Sequence, residues 1–475
     1  MILFLFFAFF PIILIFLIPK AKKSGKDNLP PGPIGLPFIG NLHQYDSVTP
    51  HIYFWKLSKK YGKIFSLKFG STPMVVVSSA KLAKEVLKTQ DLVFCSRPSF
   101  LSQRKLISVF HLFSHKKVKL FSPIREDEVS RMIKKISQQA TTSEITNLSN
   151  LIIKLQLFNC RVAFGIRFDE EAHEKRRFDE LLEESATMLT SFFVSDFFPY
   201  LAWIDKLTGL TDRLEKNFKN LDEFYEELIE QNLDPNKPKS IEGDLDILLQ
   251  LKKEKSTSID LTLEDIKAIL MNVLLAGSDT SAASIIWAMT TLIKNPKVMK
   301  KVQEEIRRSV GKKDGILNED DIQNLPYFKA VIKESFRLYP SVPLLIPRES
   351  MEKSTLEGYE IQTGTIIHVN AWAIARDPEI WENPEKFIPE RFLNNNIDFK
   401  GQDLEFIPFG AGQRGCPGIA LGVASMELAS SNLLYAFDWE LPREMKKEDI
   451  NTDAKRGLTT HKKNDLCLRI IYRFM

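Results

Sequence analysis

Ten residues near the C-terminus constrain this chain more than any others: Phe409-Gly410-Ala411-Gly412-Gln413-Arg414-Gly415-Cys416-Pro417-Gly418. Four glycines and a proline crowd one cysteine, and an apolar helical run, Ile419 to Leu434, follows at once. Glycine lets backbone N–H groups approach and wrap a ligand where a Cβ would intrude. A thiolate in such a nest, at a helix N-terminus, is stabilised by converging N–H dipoles, so a lowered thiol pKa is expected at Cys416. That suits a soft anionic metal ligand. Taken alone, a G-x-R-x-C-x-G stretch also fits a Gly-rich turn that happens to bury a cysteine.

A second stretch invites a chemical reason. The pattern from Thr262 to Lys294 predicts one long helix, with Thr262 as N-cap and Asp265 in its first turn, stopping before Asn295-Pro296. At 1.5 Å per residue this is a rod of ~50 Å, long enough to cross a domain. Near its middle stands Ala276-Gly277-Ser278-Asp279-Thr280-Ser281. Glycine there costs about 1 kcal/mol against alanine. A mid-helix Asp-Thr pair can equally be polar surface, or a hydroxyl bonding back to the preceding turn. Further on, Glu334 and Arg337 share a helical face at i, i+3. That spacing recurs at Glu128/Arg131, Glu174/Arg177, Glu304/Arg307 and Glu305/Arg308. Only its place ahead of Pro389-Glu390-Arg391-Phe392 and Cys416 marks it out.

With Phe409 seven residues before Cys416, the full F-x-x-G-x-R-x-C-x-G resembles the haem-binding loop of the cytochrome P450 family. Ala276 to Ser281 resembles that family's oxygen-binding helix signature, and E-x-x-R with P-E-R-F resembles its buried charge network. The resemblance implies a mainly α fold with a small β region and a haem b (iron protoporphyrin IX) cofactor. Cys416 would be the axial iron ligand, pushing electron density that favours O–O cleavage. Phe409 would pack beside the haem, Arg414 and Arg348 would meet its propionates, and Gly418 closes the pattern. Gly277 would open space for dioxygen, Thr280 would hydrogen-bond it, and Asp279 would relay protons. Glu334, Arg337 and Arg391 would fix the fold around the loop rather than do chemistry. Leu344 and Leu345 would line the pocket, and Gly457-Leu-Thr-Thr460 resembles the last pocket-contacting loop.

The N-terminus reads as an anchor. Ile2 to Ile18 carries no polar side chain, and Lys20, Lys22, Lys23 and Lys26 follow it. The run is at the short end for a membrane span. A cleaved signal would carry its charge before the apolar run and a small-residue site after it. Here the basic flank follows, as in an anchor with a cytosolic domain. Leu29-Pro-Pro-Gly-Pro33 and Pro37 form a stiff spacer, and anchor plus hinge resembles the endoplasmic-reticulum members of the family. A net charge of only +4 on 475 residues gives nucleic-acid binding no support. Cys95, Cys160, Cys416 and Cys467 have neither disulfide-framework nor zinc spacing.

Between these landmarks the periodicity predicts a helix over 51–61, a β-hairpin over 64–78, a Ser79-capped helix to Lys88, and helices over 126–138, 148–164 and 210–232. Pro343 to Arg348 reads as a strand, and Gly358–Ile361 with Thr365–Val369 as a hairpin across Gly364. The aromatic stretch Met188 to Trp203 is either a core stripe or the pocket roof that faces the membrane in plant A-type relatives. Lys116, Lys117 and Lys119 are either a solvated cluster or part of a face for an electron donor.

One departure stands out. Relatives carry a W-x-x-x-R helix whose Trp and Arg hold a haem propionate. This chain runs from Pro98 to Leu112-Phe113-Ser114 without it, a shortening of ~20 residues, or ~30 Å of helix. The expectation is therefore an anchor (1–19), a hinge (20–41) and a haem-thiolate monooxygenase domain (42–475) at the endoplasmic reticulum. An NADPH-dependent cytochrome reductase would serve it, and a small apolar substrate of plant secondary metabolism would receive one oxygen atom. The alternative is a catalytically silent relative, damaged by the lost segment.

Overall fold

The computed structural model describes residues 28–102, 121–142, 145–155, 161–163, 172–233, 244–254 and 262–472. The anchor, the Lys116–Lys119 cluster, Cys160 and the shortened segment from residue 103 on lie outside the described residues.

In chain order the elements are α1 (Pro50–Tyr61), β1 (Ile64–Phe69), β2 (Thr72–Val77), α2 (Ala80–Lys84), α3 (Ser122–Thr142), β3 (Thr146–Asn147) and α4 (Leu148–Leu155). Then come α5 (Ala172–Thr190), α6 (Val194–Phe197), α7 (Trp203–Leu207), α8 (Leu210–Leu233), α9 (Asp244–Glu254), α10 (Leu263–Lys294), α11 (Pro296–Val310) and α12 (Pro326–Leu338). Last are β4 (Arg348–Glu349), β5 (Ser354–Leu356), β6 (Tyr359–Ile361), β7 (Ile366–Val369), α13 (Ala371–Ile374), α14 (Ile419–Ala436), β8 (Phe437–Glu440) and β9 (Cys467–Tyr472). The fold is mainly α with small sheets.

Local signals set the boundaries. Thr262 Oγ1 accepts from Asp265 N–H at 3.1 Å and Asp265 Oδ2 accepts from Thr262 N–H at 3.0 Å. Two orphan donors at the start of α10 are thereby satisfied. Pro296 opens α11 and Pro326 opens α12, each where a missing N–H does no harm. The last carbonyls around the end of α14 accept from Gln303 and Arg307 of α11.

Helix α10 organises the interior. Its N-terminal half packs with α5, α8 and α9 through Ile266, Leu270 and Leu274. Its C-terminal half packs with α4, α11, α12 and α14 through Ile285, Met289 and Leu292. Beside this body, β1, β2, β7 and β4 form one sheet, with β2 and β7 parallel and in register from Met74–Ile366 to Val77–Val369. The described part of the Pro-rich segment lies against β1, where Ser66 N–H donates to Pro31 O and Ser66 Oγ to Pro30 O.

Two sequence expectations are corrected. The predicted hairpin across Gly364 does not form: β6 pairs with β5, and β7 lies between β2 and β4. Short strands with similar alternation do not encode their partners. Pro343 to Ile346 is a turn rather than a strand, with Leu345 N–H donating to Val342 O and Leu345 at φ +53°. The aromatic stretch is broken into α6, a 3₁₀ turn at Pro199–Leu201 and α7. Asp205, fully buried, accepts from Val194 and Ser195 N–H and ties these pieces together.

Candidate active site

Along α10 the buried residues stop at Leu274 and resume at Ser281. The stretch between them, with Gly277, Asp279 and Thr280, is solvent-reachable although both flanks are core. An apolar helix buried all round needs no such gap, so the gap marks an internal opening. Helix α14 approaches it closely: a Cβ on Gly422 would lie 4.0 Å from Ser281 Oγ. Ser281 follows Thr280, and Gly422 lies six residues past Cys416, so the two signatures meet at this crossing.

The cysteine loop is folded on itself. Cys416 N–H donates to Phe409 O at 2.9 Å, and Gly415 N–H to Gly412 O at 3.0 Å. The Phe409 ring stands edge-on to Phe336 and Phe399, with centroids 5.1 and 5.5 Å away. Cys416 is exposed, yet burial pushes its thiol up, against a lowering bond from Gly418 N–H. A group both accessible and deep faces an internal opening. The lowered pKa expected of the nest is therefore corrected, because one N–H does not outweigh desolvation. A coordinating cation deprotonates such a thiol outright.

Three guanidiniums gather beside the loop. Arg348 donates to Asp91 Oδ1 at 2.5 Å and to Ala411 O at 2.9 Å. Arg414 Nε donates to Cys95 O at 2.7 Å, and Arg97 donates to Ile346 O and Pro347 O. Burial and the charges of Arg348 and Arg414 push Arg97 down to about 10. Burial also lowers Arg348, against the Asp91 carboxylate. Asp91 Oδ2 further accepts from Gln413 N–H, bridging Arg348 to the cysteine loop. Among the described residues Asp91 is the one carboxylate paired with this trio, and it leaves two half-buried guanidiniums, Arg97 and Arg414, without a carboxylate.

At the opening, Thr280 Oγ1 donates to Ala276 O at 2.6 Å. Asp279 does not stand alone, because its Oδ1 lies 2.6 Å from His461 Nε2. Burial raises the Asp279 carboxyl, but the bond and charge of His461 with the Thr459 hydroxyl outweigh it, and the net shift is downward.

Glu334 and Arg337, both fully buried, form a two-pronged pair at 2.7 and 2.9 Å, and Arg391 Nε reaches Glu334 Oε1 at 3.2 Å. Arg337 also donates to the carbonyls of Ala375, Pro384 and Lys386. These bonds satisfy charges that would otherwise be costly to bury.

Sequence reasoning missed Asp91, Arg97 and His461. Arg97 follows Ser96, which bridges to Glu349, while His461 directly follows the Gly457–Thr460 loop, a motif that was read. Asp91 carried no local signal.

A thiol in a glycine loop facing an opening in a mainly α body, beside three buried or half-buried guanidiniums, fits the haem-thiolate class of oxygenase. The family model for Cytochrome P450 matches residues 30–468, and the chain belongs to that family. It is 49% identical to 5-OH-xanthotoxin synthase of Pastinaca sativa, over 97% of this chain and 96% of that protein. It is 47% identical to 6,7,8-trihydroxycoumarin synthase of the same plant, over 98% of each chain. Cytochrome P450 71B10 of Arabidopsis thaliana is 45% identical, over 96% of this chain and 97% of that one. The first alignment runs over 498 positions against a chain of 475 residues, so part of the relative faces gaps here.

Family membership makes the chain a haem-carrying monooxygenase that works with a redox partner and a small substrate. The residues fit haem: a soft sulfur ligand and two uncompensated positive charges match an iron and two propionate groups. The silent-relative alternative finds no support among the described residues, since this cluster assembles without the shortened segment.

Proposed function

We propose that this chain is a haem b monooxygenase that hydroxylates a planar, largely apolar lactone of the coumarin or furanocoumarin kind. The observation that carries the haem reading is the Arg97–Arg348–Arg414 trio with its single carboxylate beside the Cys416 loop. The names of the relatives, a 5-OH-xanthotoxin synthase and a 6,7,8-trihydroxycoumarin synthase, support the substrate class. An NADPH-dependent reductase would supply electrons. Residues 1–19 would anchor the chain in the endoplasmic-reticulum bilayer, 20–41 would join the anchor to the body, and 42–475 would carry the activity.

Each residue has a physical role in this reading. Cys416 would ligate the iron, Phe409 and Gly418 would shape the loop around it, and Arg97, Arg348 and Arg414 would hold the propionates. When bound, the haem supplies the iron centre at which dioxygen is activated. Gly277 leaves the opening wide, because no side chain fills it. Asp279 takes protons from the solvent side and Thr280 Oγ1 passes them on, exchanging its bond to Ala276 O for one toward the opening. Glu334, Arg337 and Arg391 keep the loop in place.

The test is spectroscopic. The reduced, CO-bound full-length chain is expected to give the thiolate Soret band, and Cys416→Ser to lose it. Xanthotoxin titrated into the oxidised protein is expected to shift the Soret absorbance, and the shift to saturate. A chain without the thiolate band, after expression with ample haem, would overturn the haem reading. A normal band with no response to any coumarin would overturn the substrate class alone.

A further inference from the structure

The C-terminal loop reaches the middle of α10 through a set of bonds the family motifs do not contain. Thr460 N–H donates to Ser341 O at 2.8 Å, and Trp287 Nε1 donates to Thr460 O at 2.7 Å. Trp287 itself is clamped by stacking on Tyr339, with centroids 4.4 Å apart and planes within 5°. Ser341 Oγ shares a bond with Ser284 Oγ at 2.7 Å, and both hydroxyls reach Thr280 O, at 3.2 and 2.8 Å. The residue these anchors deliver is His461. Its carbonyl is fixed by Lys455 N–H, and its Nε2 lies 2.6 Å from Asp279 Oδ1.

A mid-helix aspartate with no such partner is free to rotate or to bond its own helix. Here one oxygen is claimed by a ring whose backbone is held on both sides. Both side chains remain partly solvent-reachable, at 26% for His461 and 38% for Asp279. The pair therefore borders the opening, with Asp279 reachable from it.

We propose that His461 is a positioning residue for Asp279: the C-terminal loop, through Nε2, holds the carboxylate in the one orientation from which it can serve Thr280. The inference rests on the reading of Asp279 as the proton relay. It adds that the relay is built from two distant parts of the chain, so that a loop variant over one hundred and eighty residues away should alter proton delivery. Without His461 the carboxylate keeps only its Thr459 bond and is less fixed, relay to Thr280 slows, and oxygen reduced by two electrons from NADPH leaves as hydrogen peroxide with two protons drawn from water.

The test uses the full-length holoprotein with a plant NADPH-dependent reductase and reads peroxide formed per NADPH consumed, a ratio that needs no identified product. The variants are His461→Ala, His461→Gln, Asp279→Asn and the Asp279→Asn/His461→Ala double, each first checked for the thiolate CO band. His461→Ala is expected to raise the ratio several-fold, His461→Gln to restore most of it by keeping an N–H donor, and the double variant to match Asp279→Asn. A His461→Ala protein as tightly coupled as the parent, while Asp279→Asn leaks, would overturn the positioning role. An Asp279→Asn protein that does not leak would instead overturn the relay reading. The urea midpoints of the same four proteins separate the two, because they need no turnover. Non-additive midpoints show that His461 and Asp279 act as a pair, and additive ones overturn it.

Discussion

At the scale of single residues, the cysteine loop is set by backbone conformation as much as by the sulfur. Gly412 has φ +71°, and a Cβ there would collide with Leu87 O and the Asp91 carboxylate. Gly311, at φ +70°, would meet nothing. Gly412→Ala is therefore expected to lose haem and to lower the urea midpoint well beyond the ~1–2 kcal/mol of left-handed strain alone. Gly311→Ala should show that strain only and keep full haem content. Haem absorbance per chain and urea unfolding of both variants check the contrast. Equal losses would mean that the Gly412 close approach is unimportant.

Elements are joined by buried charge. Glu334 on α12 holds Arg337 of the same helix and Arg391 of the segment after α13, with all three side chains largely out of water. Glu334→Ala strands two guanidiniums, and breaking such a buried pair costs about 3–5 kcal/mol. Glu304→Ala removes an exposed partner of Lys300, 3.9 Å away, and should cost at most ~1 kcal/mol. Urea denaturation of the two variants decides whether α12 is locked to the region before the cysteine loop by charge or by packing. Similar small losses would favour packing.

The whole molecule should lose stability on mild acidification. His51 and His368 are each pushed from 6.5 down to about 4, His51 by burial and the Arg376 charge, His368 by burial. The folded state keeps both rings neutral, while the unfolded chain takes up protons as pH falls below 6.5. Their stabilising share is thus complete above 6.5 and lost progressively toward about 4. Asp279, whose carboxyl is lowered, loses its contribution at still lower pH, as protonation overtakes the folded value. The urea midpoint is expected to fall across this window. His368→Phe, at a position whose Nδ1 has no partner and whose ring lies 5.7 Å from Phe54, should flatten the fall. An unchanged slope would show that the imidazole is not the titrating group.

The sequence by itself determined the class of molecule. Gly-Cys-Pro-Gly chemistry, the long capped helix with Gly277, Asp279 and Thr280, and the Glu334–Arg337–Arg391 spacing are local patterns, and local patterns survive in a linear string. Helix boundaries at Thr262, Pro296 and Pro326 were legible for the same reason. Tertiary structure alone decided which strand pairs with β7, how Asp91 bridges Arg348 to Gln413, and that His461 meets Asp279. Those contacts join residues up to 322 positions apart. Their energy comes from desolvated charge and fixed distance, which exist only after the helices and the loop have packed.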